Sequence, residues 1–169
     1  MQAIILGSSR GIRRLDPARS MPVSLQPIQA TETVLDWTLH ALRSQGIHDI
    51  TFVGGYQIQK VIERHPSLSC RYHLPWQEED ELGALLTYPP NGESGLFVLR
   101  SSTLLLPGAL ERLRSTGADA AAGYHPTAAG DEYLGLLFLV SRAERKRTTK
   151  AEQNHTTERH GVSIKVRGA

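Results

Sequence analysis

The chain has a single cysteine, Cys70, among 169 residues. One thiol cannot build a disulfide framework, and a reducing compartment is the default for such composition. No apolar run approaches membrane-spanning length, and the opening residues show no basic stretch followed by a long apolar core, so the sequence predicts a cytoplasmic protein without a membrane segment. The seven histidines, among them His40, His48, His65 and His73, show no i, i+4 pairing and no Cys-x-x-Cys partner. That spacing offers no zinc motif and leaves them as surface or interface residues. Ser8 and Ser9 sit in no G-x-S-x-G turn, which removes the usual signature of a serine hydrolase.

A strong net charge is also missing, but the small total of +2 hides an asymmetry. Residues 1–141 carry a net −3 and residues 142–169 a net +5. The segment 142–169 is polar and basic, has no aromatic residue, and shows no apolar period before Val162. It reads as a solvated tail on a domain spanning 1–141, and without aromatics or a recognisable binding motif no nucleic-acid partner is expected. With 40% hydrophobic and 21% charged residues overall, the chain has the composition of one globular domain with a real core.

What is present begins at the N-terminus. Gln2-Ala3-Ile4-Ile5-Leu6 is an apolar run of the length and kind that forms a buried parallel strand, and Gly7-Ser8-Ser9-Arg10-Gly11 follows without a break. Small residues after a strand let backbone N–H groups approach anionic oxygens, and guanidinium groups add charge-assisted hydrogen bonds. Arg10, Arg13 and Arg14 are placed to supply them.

Downstream, strand and helix signals alternate. Thr33 with Asp36 approximates a capping box at the head of a helix whose Val34, Leu35, Leu39 and Leu42 share a face and which Gly46 ends. Asp49–Val53 reads as a strand closed by Gly54-Gly55-Tyr56, and 57–65 as a helix with Ile58, Val61 and Ile62 inward, stopped by Pro66. Ser69–His73 and Gly95–Leu99 read as strands, 107–113 as a helix, and Ala118–Tyr124 and Tyr133–Val140 as strands. Such alternation implies a three-layer α/β/α domain around a mostly parallel sheet, with the Gly7 loop, the Gly55 loop and Ser102 on one rim.

The order of these residues resembles the sugar-phosphate and choline-phosphate nucleotidyltransferases. Leu6-Gly7-Ser8-Ser9-Arg10-Gly11-Ile12-Arg13, then Arg14-Leu15-Asp16-Pro17 and Pro22-Val23-Ser24-Leu25-Gln26-Pro27-Ile28, is similar to the family's L-A-A-G-x-G-x-R-L-x-P followed by P-K-x-L-x-P-I. The likeness continues through Asp36-Trp37, Gly46-Ile47-His48-Asp49-Ile50, Gly55-Tyr56 and Asp131-Glu132-Tyr133-Leu134-Gly135. It covers roughly residues 1 to 141, the N-terminal part of a family domain that is usually longer.

The resemblance implies a Rossmann-like sheet of the nucleotide-diphospho-sugar transferase type. It also implies transfer of a nucleoside monophosphate from a nucleoside triphosphate to a phosphorylated small molecule such as a sugar phosphate or phosphocholine. Pyrophosphate would leave and Mg²⁺ would be the cofactor. By that likeness Leu6, Gly7, Ser8, Ser9, Arg10 and Gly11 hold the nucleotide, Arg13 or Arg14 is the catalytic arginine, and Glu81 falls in the base-reading loop.

The departures are chemical. The family lysine falls on Val23, its metal-binding aspartate on Ser102, its first loop glycine on Ser9, and the asparagines of the base loop on Asp80 and Glu81. Each lost electrostatic partner is worth roughly 3 kcal/mol of transition-state stabilisation. The departures therefore raise a second reading, a nucleotide-binding or regulatory subunit that transfers nothing. An exposed sheet edge adds the expectation of a homo-oligomer.

Overall fold

Strand β1 (Gln2–Leu6) is buried along its whole length because it has a parallel neighbour on each side. In the computed structural model, which describes residues 1–7, 21–75, 83–85, 95–118, 120–127 and 130–139, β1 lies inside a six-stranded sheet of order β3-β2-β1-β4-β6-β5. The other strands are β2 (Asp49–Gly54), β3 (Ser69–Tyr72), β4 (Leu96–Arg100), β5 (Ala120–Thr127) and β6 (Gly130–Leu139). The first four run parallel. β6 runs antiparallel to β4 and forms a hairpin with β5.

Side-chain alternation sorts the sheet into two faces. Ala3, Ile5, Phe52, Phe97, Leu99, Leu136 and Phe138 point to one side, where they form the larger core. Phe97 and Phe138, cross-strand neighbours, bring their ring centroids to 4.6 Å. Ile4, Leu6, Val53, Leu96 and Val98 point to the other side, where Ala84 of the helical residues 83–85 packs on them.

The larger core is roofed by α1 (Val34–Ser44), α2 (Ile58–Arg64) and α3 (Ala109–Arg114), which contribute Leu35, Leu39, Leu42, Ile58, Val61, Leu110 and Leu113. Helix α1 starts as its sequence predicts. The Thr33 hydroxyl accepts from the Asp36 amide at 3.2 Å, and the Asp36 carboxylate accepts from the Thr33 amide at 2.8 Å, so two otherwise orphan donors are satisfied. It stops at Gly46, whose φ of +74° is the left-handed conformation that a residue without a Cβ adopts at least cost.

Two expectations are corrected. Ile62 is 45% exposed rather than inward, because α2 spans only seven residues and Ile58 and Val61 fill the sheet-facing stripe. His73, expected at the surface or an interface, is fully buried just after β3, and its amide donates to the Gly54 carbonyl at 2.9 Å. The basic segment 142–169 lies outside the described residues. Among the described residues no helix is long and apolar enough to cross a membrane.

Candidate functional site

The connections of the parallel strands diverge between β1 and β4: β1 leads through α1 to β2 on one side, and β4 leads toward the β5–β6 hairpin on the other. In an open α/β sheet, ligands bind in the crevice that such a switch point opens at the carboxyl ends of the strands. The register fixes what borders it. Leu6 stands beside Val53 on one side and Arg100 on the other, so the ends of β1, β2 and β4 lie level. The hairpin raises a wall beside them. β4 pairs with β6 only over Leu136–Leu139, whereas Gly130–Tyr133 pair with Tyr124–Thr127 beyond the end of β4.

The backbone seals the floor of this crevice. The Gly7 amide donates to the Val53 carbonyl at 2.6 Å, and the Ser101 amide donates to the Leu6 carbonyl at 2.9 Å. Gly7 is small for a packing reason as well, since the Phe52 ring occupies the space that a Cβ at Gly7 would take, and a Cβ at Gly54 would lie 2.7 Å from the same ring. Ser101 is buried and Ser102 exposed on the turn after β4, closed by the Thr103 amide donating to the Arg100 carbonyl at 3.0 Å.

Of the residues singled out from sequence, Leu6 and Gly7 stand at the crevice, and the Gly55 turn and Ser102 share the rim, as expected. Ser8, Ser9, Arg10, Gly11, Arg13, Arg14 and Glu81 lie outside the described residues. Val23 is half-buried in the 3-10 turn Val23–Leu25. The Asp131-Glu132-Tyr133-Leu134-Gly135 run belongs to β6, so its backbone joins the wall of the same crevice.

Arg100, the last residue of β4, stands beside Leu6 on the same rim, and the sequence reading gave it no role. The signal was there: an apolar run, Leu96-Phe97-Val98-Leu99, that ends on a cation at the carboxyl end of its strand.

A hard divalent cation takes oxygen ligands, carboxylates above all. The side chains on the turn after β4, Arg100 to Thr103, are one guanidinium and three hydroxyls. Among the described residues no group of three or more His, Cys, Asp or Glu is placed to hold a metal ion.

Asp36, which the resemblance included, acts as a structural staple. Beyond capping α1, it accepts from Arg64 Nη2 at 2.6 Å, while the same nitrogen donates to the Thr31 carbonyl at 2.7 Å. Its other carboxylate oxygen is 3.5 Å from His65 Nε2. Burial would raise the Asp36 pKa, but hydrogen bonds from Arg64 and Thr33 outweigh it and hold the carboxyl below its usual range. Burial pushes the His65 imidazole below its ordinary value, against the opposing pull of Asp36. Trp37 is tied by its indole N–H to the Leu105 carbonyl at 2.8 Å, which fixes the loop after β4 against α1.

No protein-family model matches this sequence, and no curated protein does. Solved structures do. A Bacillus anthracis protein assigned as a glucose-1-phosphate thymidylyltransferase superposes with a TM-score of 0.62 at 14% identity, over 84% of this chain and 72% of that one. The inositol-1-phosphate CTP transferase from T. maritima gives 0.62 at 13% identity, over 92% and 74%. HddC from Yersinia pseudotuberculosis, solved with GMP-PN, gives 0.58 at 13% identity, over 82% and 76%. The mixed sheet with its helices is therefore the Rossmann-like fold of the sugar-phosphate nucleotidyltransferases.

Proposed function

We propose that the chain is a nucleotidyltransferase-like protein whose β1–β4 crevice takes a nucleoside triphosphate beside a phosphorylated small molecule, with transfer of the nucleoside monophosphate and release of pyrophosphate as its reaction. The observation that carries this is positional. Gly7 at the end of the first strand, the Gly55 turn, the turn after β4 and the backbone of the Asp131–Gly135 run are dispersed in sequence and meet on one rim, in a fold shared with nucleotidyltransferases. Leu6 to Gly11 would hold the nucleotide, Arg13 or Arg14 would offset charge at the reacting phosphorus, and Glu81 would stand at the base.

A second reading has its own observation. Val23 and Ser102 stand where the family places a lysine and a metal-binding aspartate, and a hydrocarbon and a hydroxyl do neither task. A subunit that binds nucleotide without transferring it fits those two residues. A homo-oligomer is part of either reading, because β3 ends the sheet with a largely exposed edge.

Pyrophosphate release from the four common nucleoside triphosphates, with sugar 1-phosphates and phosphocholine as acceptors, separates the two. Mg²⁺-dependent release abolished by Arg13→Ala or Arg14→Ala establishes the transferase. Binding of a triphosphate by isothermal titration with no release establishes the second reading, and absence of binding refutes both.

A further inference from the structure

Between the end of β4 and the start of α3 the chain runs through residues 103–106 without helix or strand. No backbone ladder sets such a stretch in place, so its position depends on the groups that reach it from neighbouring elements. From the sheet, the Ser101 amide fixes the start of the turn on the Leu6 carbonyl. From β6, the Gly135 carbonyl accepts from the Thr103 hydroxyl at 3.4 Å. Gly135 also has a φ of +72°, and a Cβ there would fall 2.5 Å from Arg100 Cδ, so its bare backbone lets the turn lie close against the hairpin.

The strongest hold comes from α1. The Trp37 indole N–H donates to the Leu105 carbonyl at 2.8 Å, whereas the Thr38 hydroxyl, already on the Val34 carbonyl at 2.9 Å, lies 3.5 Å from the Thr103 carbonyl. Leu105 is buried in the larger core, while Leu104 and Leu106 on either side are 50% and 68% exposed. The segment is thus pinned at Leu105, by its side chain from below and by the indole from α1. Trp37 in turn follows Asp36, which the Arg64 guanidinium braces against α2.

We propose that Trp37 is a positioning residue of the crevice: by holding the Leu105 carbonyl, its indole N–H keeps the turn Ser101–Thr103 at the height at which it faces a bound nucleoside triphosphate. The inference rests on the reading that the crevice takes that ligand, and adds that α1, which does not border the crevice, sets how well the β4 rim fits it. A turn released from the indole must be ordered when the ligand arrives, and that ordering is subtracted from affinity.

The test compares Trp37→Phe, which keeps a ring in place and removes the N–H, with Val61→Ala, a cavity in α2 away from the turn. Wild type is titrated calorimetrically with ATP, GTP, CTP and UTP, each with and without Mg²⁺, and binds at least one. Trp37→Phe binds that triphosphate about 3- to 10-fold more weakly, the net worth of one neutral hydrogen bond. Its amides at 102–106 exchange faster in the free protein and gain less protection on binding. Val61→Ala, with a melting temperature as low or lower, keeps wild-type affinity. If Trp37→Phe melts below the assay temperature, Thr38→Val, which removes the weaker bond from α1, decides by a smaller loss in the same direction. Affinity that Trp37→Phe leaves unchanged, or that Val61→Ala lowers equally, overturns the role of Trp37 while the nucleotide reading stands. Failure of wild type to bind any of the four triphosphates overturns both.

Discussion

A methyl group added at Gly7 would meet the Phe52 ring rather than open space. The glycine that sequence alone marks as the start of a phosphate loop thus has a packing role, and its amide is already committed to Val53. Gly7→Ala should cost about 1–3 kcal/mol by forcing the buried ring off its position, measured by urea denaturation. Because the collision is with one ring, Gly7→Ala combined with Phe52→Leu should cost less than the sum of the two single variants. Additive costs would show that the ring is not what position 7 answers to. Val23 and Ser102 were legible as chemical departures from their residue types. Arg100 was not, because a cation after an apolar run acquires meaning only once the strand's carboxyl end is known to face a crevice.

At the scale of elements, the capping box of α1 was legible from Thr33 and Asp36, a local signal three residues apart. The link from that cap to the end of α2 was not, since Arg64 and His65 lie 28 and 29 positions away and reach Asp36 only after both helices dock on the sheet. Asp36→Ala removes the reciprocal cap and the Arg64 pair together and should cost about 1–2 kcal/mol, most of it from the cap because the pair is partly exposed. Arg64→Ala should cost much less, and equal losses would assign the staple to the ion pair instead.

The acid response has a definite sign. The folded-state pKa of His65 is lowered, so the unfolded chain binds the proton more readily; stability is complete above the unfolded value of about 6.5 and is lost as pH falls toward the folded value. Asp36 acts in the same sense at lower pH, its contribution present above about 3.8 and lost as pH falls through its depressed folded value. Between about pH 7.5 and about pH 5, the melting temperature should fall, and His65→Gln should flatten that slope. An unchanged slope in the variant would remove His65 from the account.

In the whole molecule, protection should follow position in the sheet. β1 is buried and paired on both sides, whereas β3 is paired on one side and largely exposed. Amide hydrogen exchange should be slowest in β1 and at least about 100-fold faster in β3. Equal protection would mean that a further strand covers the β3 edge, as in an edge-to-edge oligomer.

The strands and helices, the α/β class and the parallel start of the sheet could be read from the order of residues, because apolar period, caps and turn residues act over a few positions. Composition alone excluded a disulfide framework. The antiparallel place of β6 beside β4 was settled only by tertiary structure, as were the Phe52 ring beneath Gly7, the burial of His73 and the joining of Arg100 to Gly135. These depend on pairings between segments tens of residues apart. Neither hydrophobic period nor local spacing records which distant strand will be the neighbour; the packing of the two sheet faces decides it.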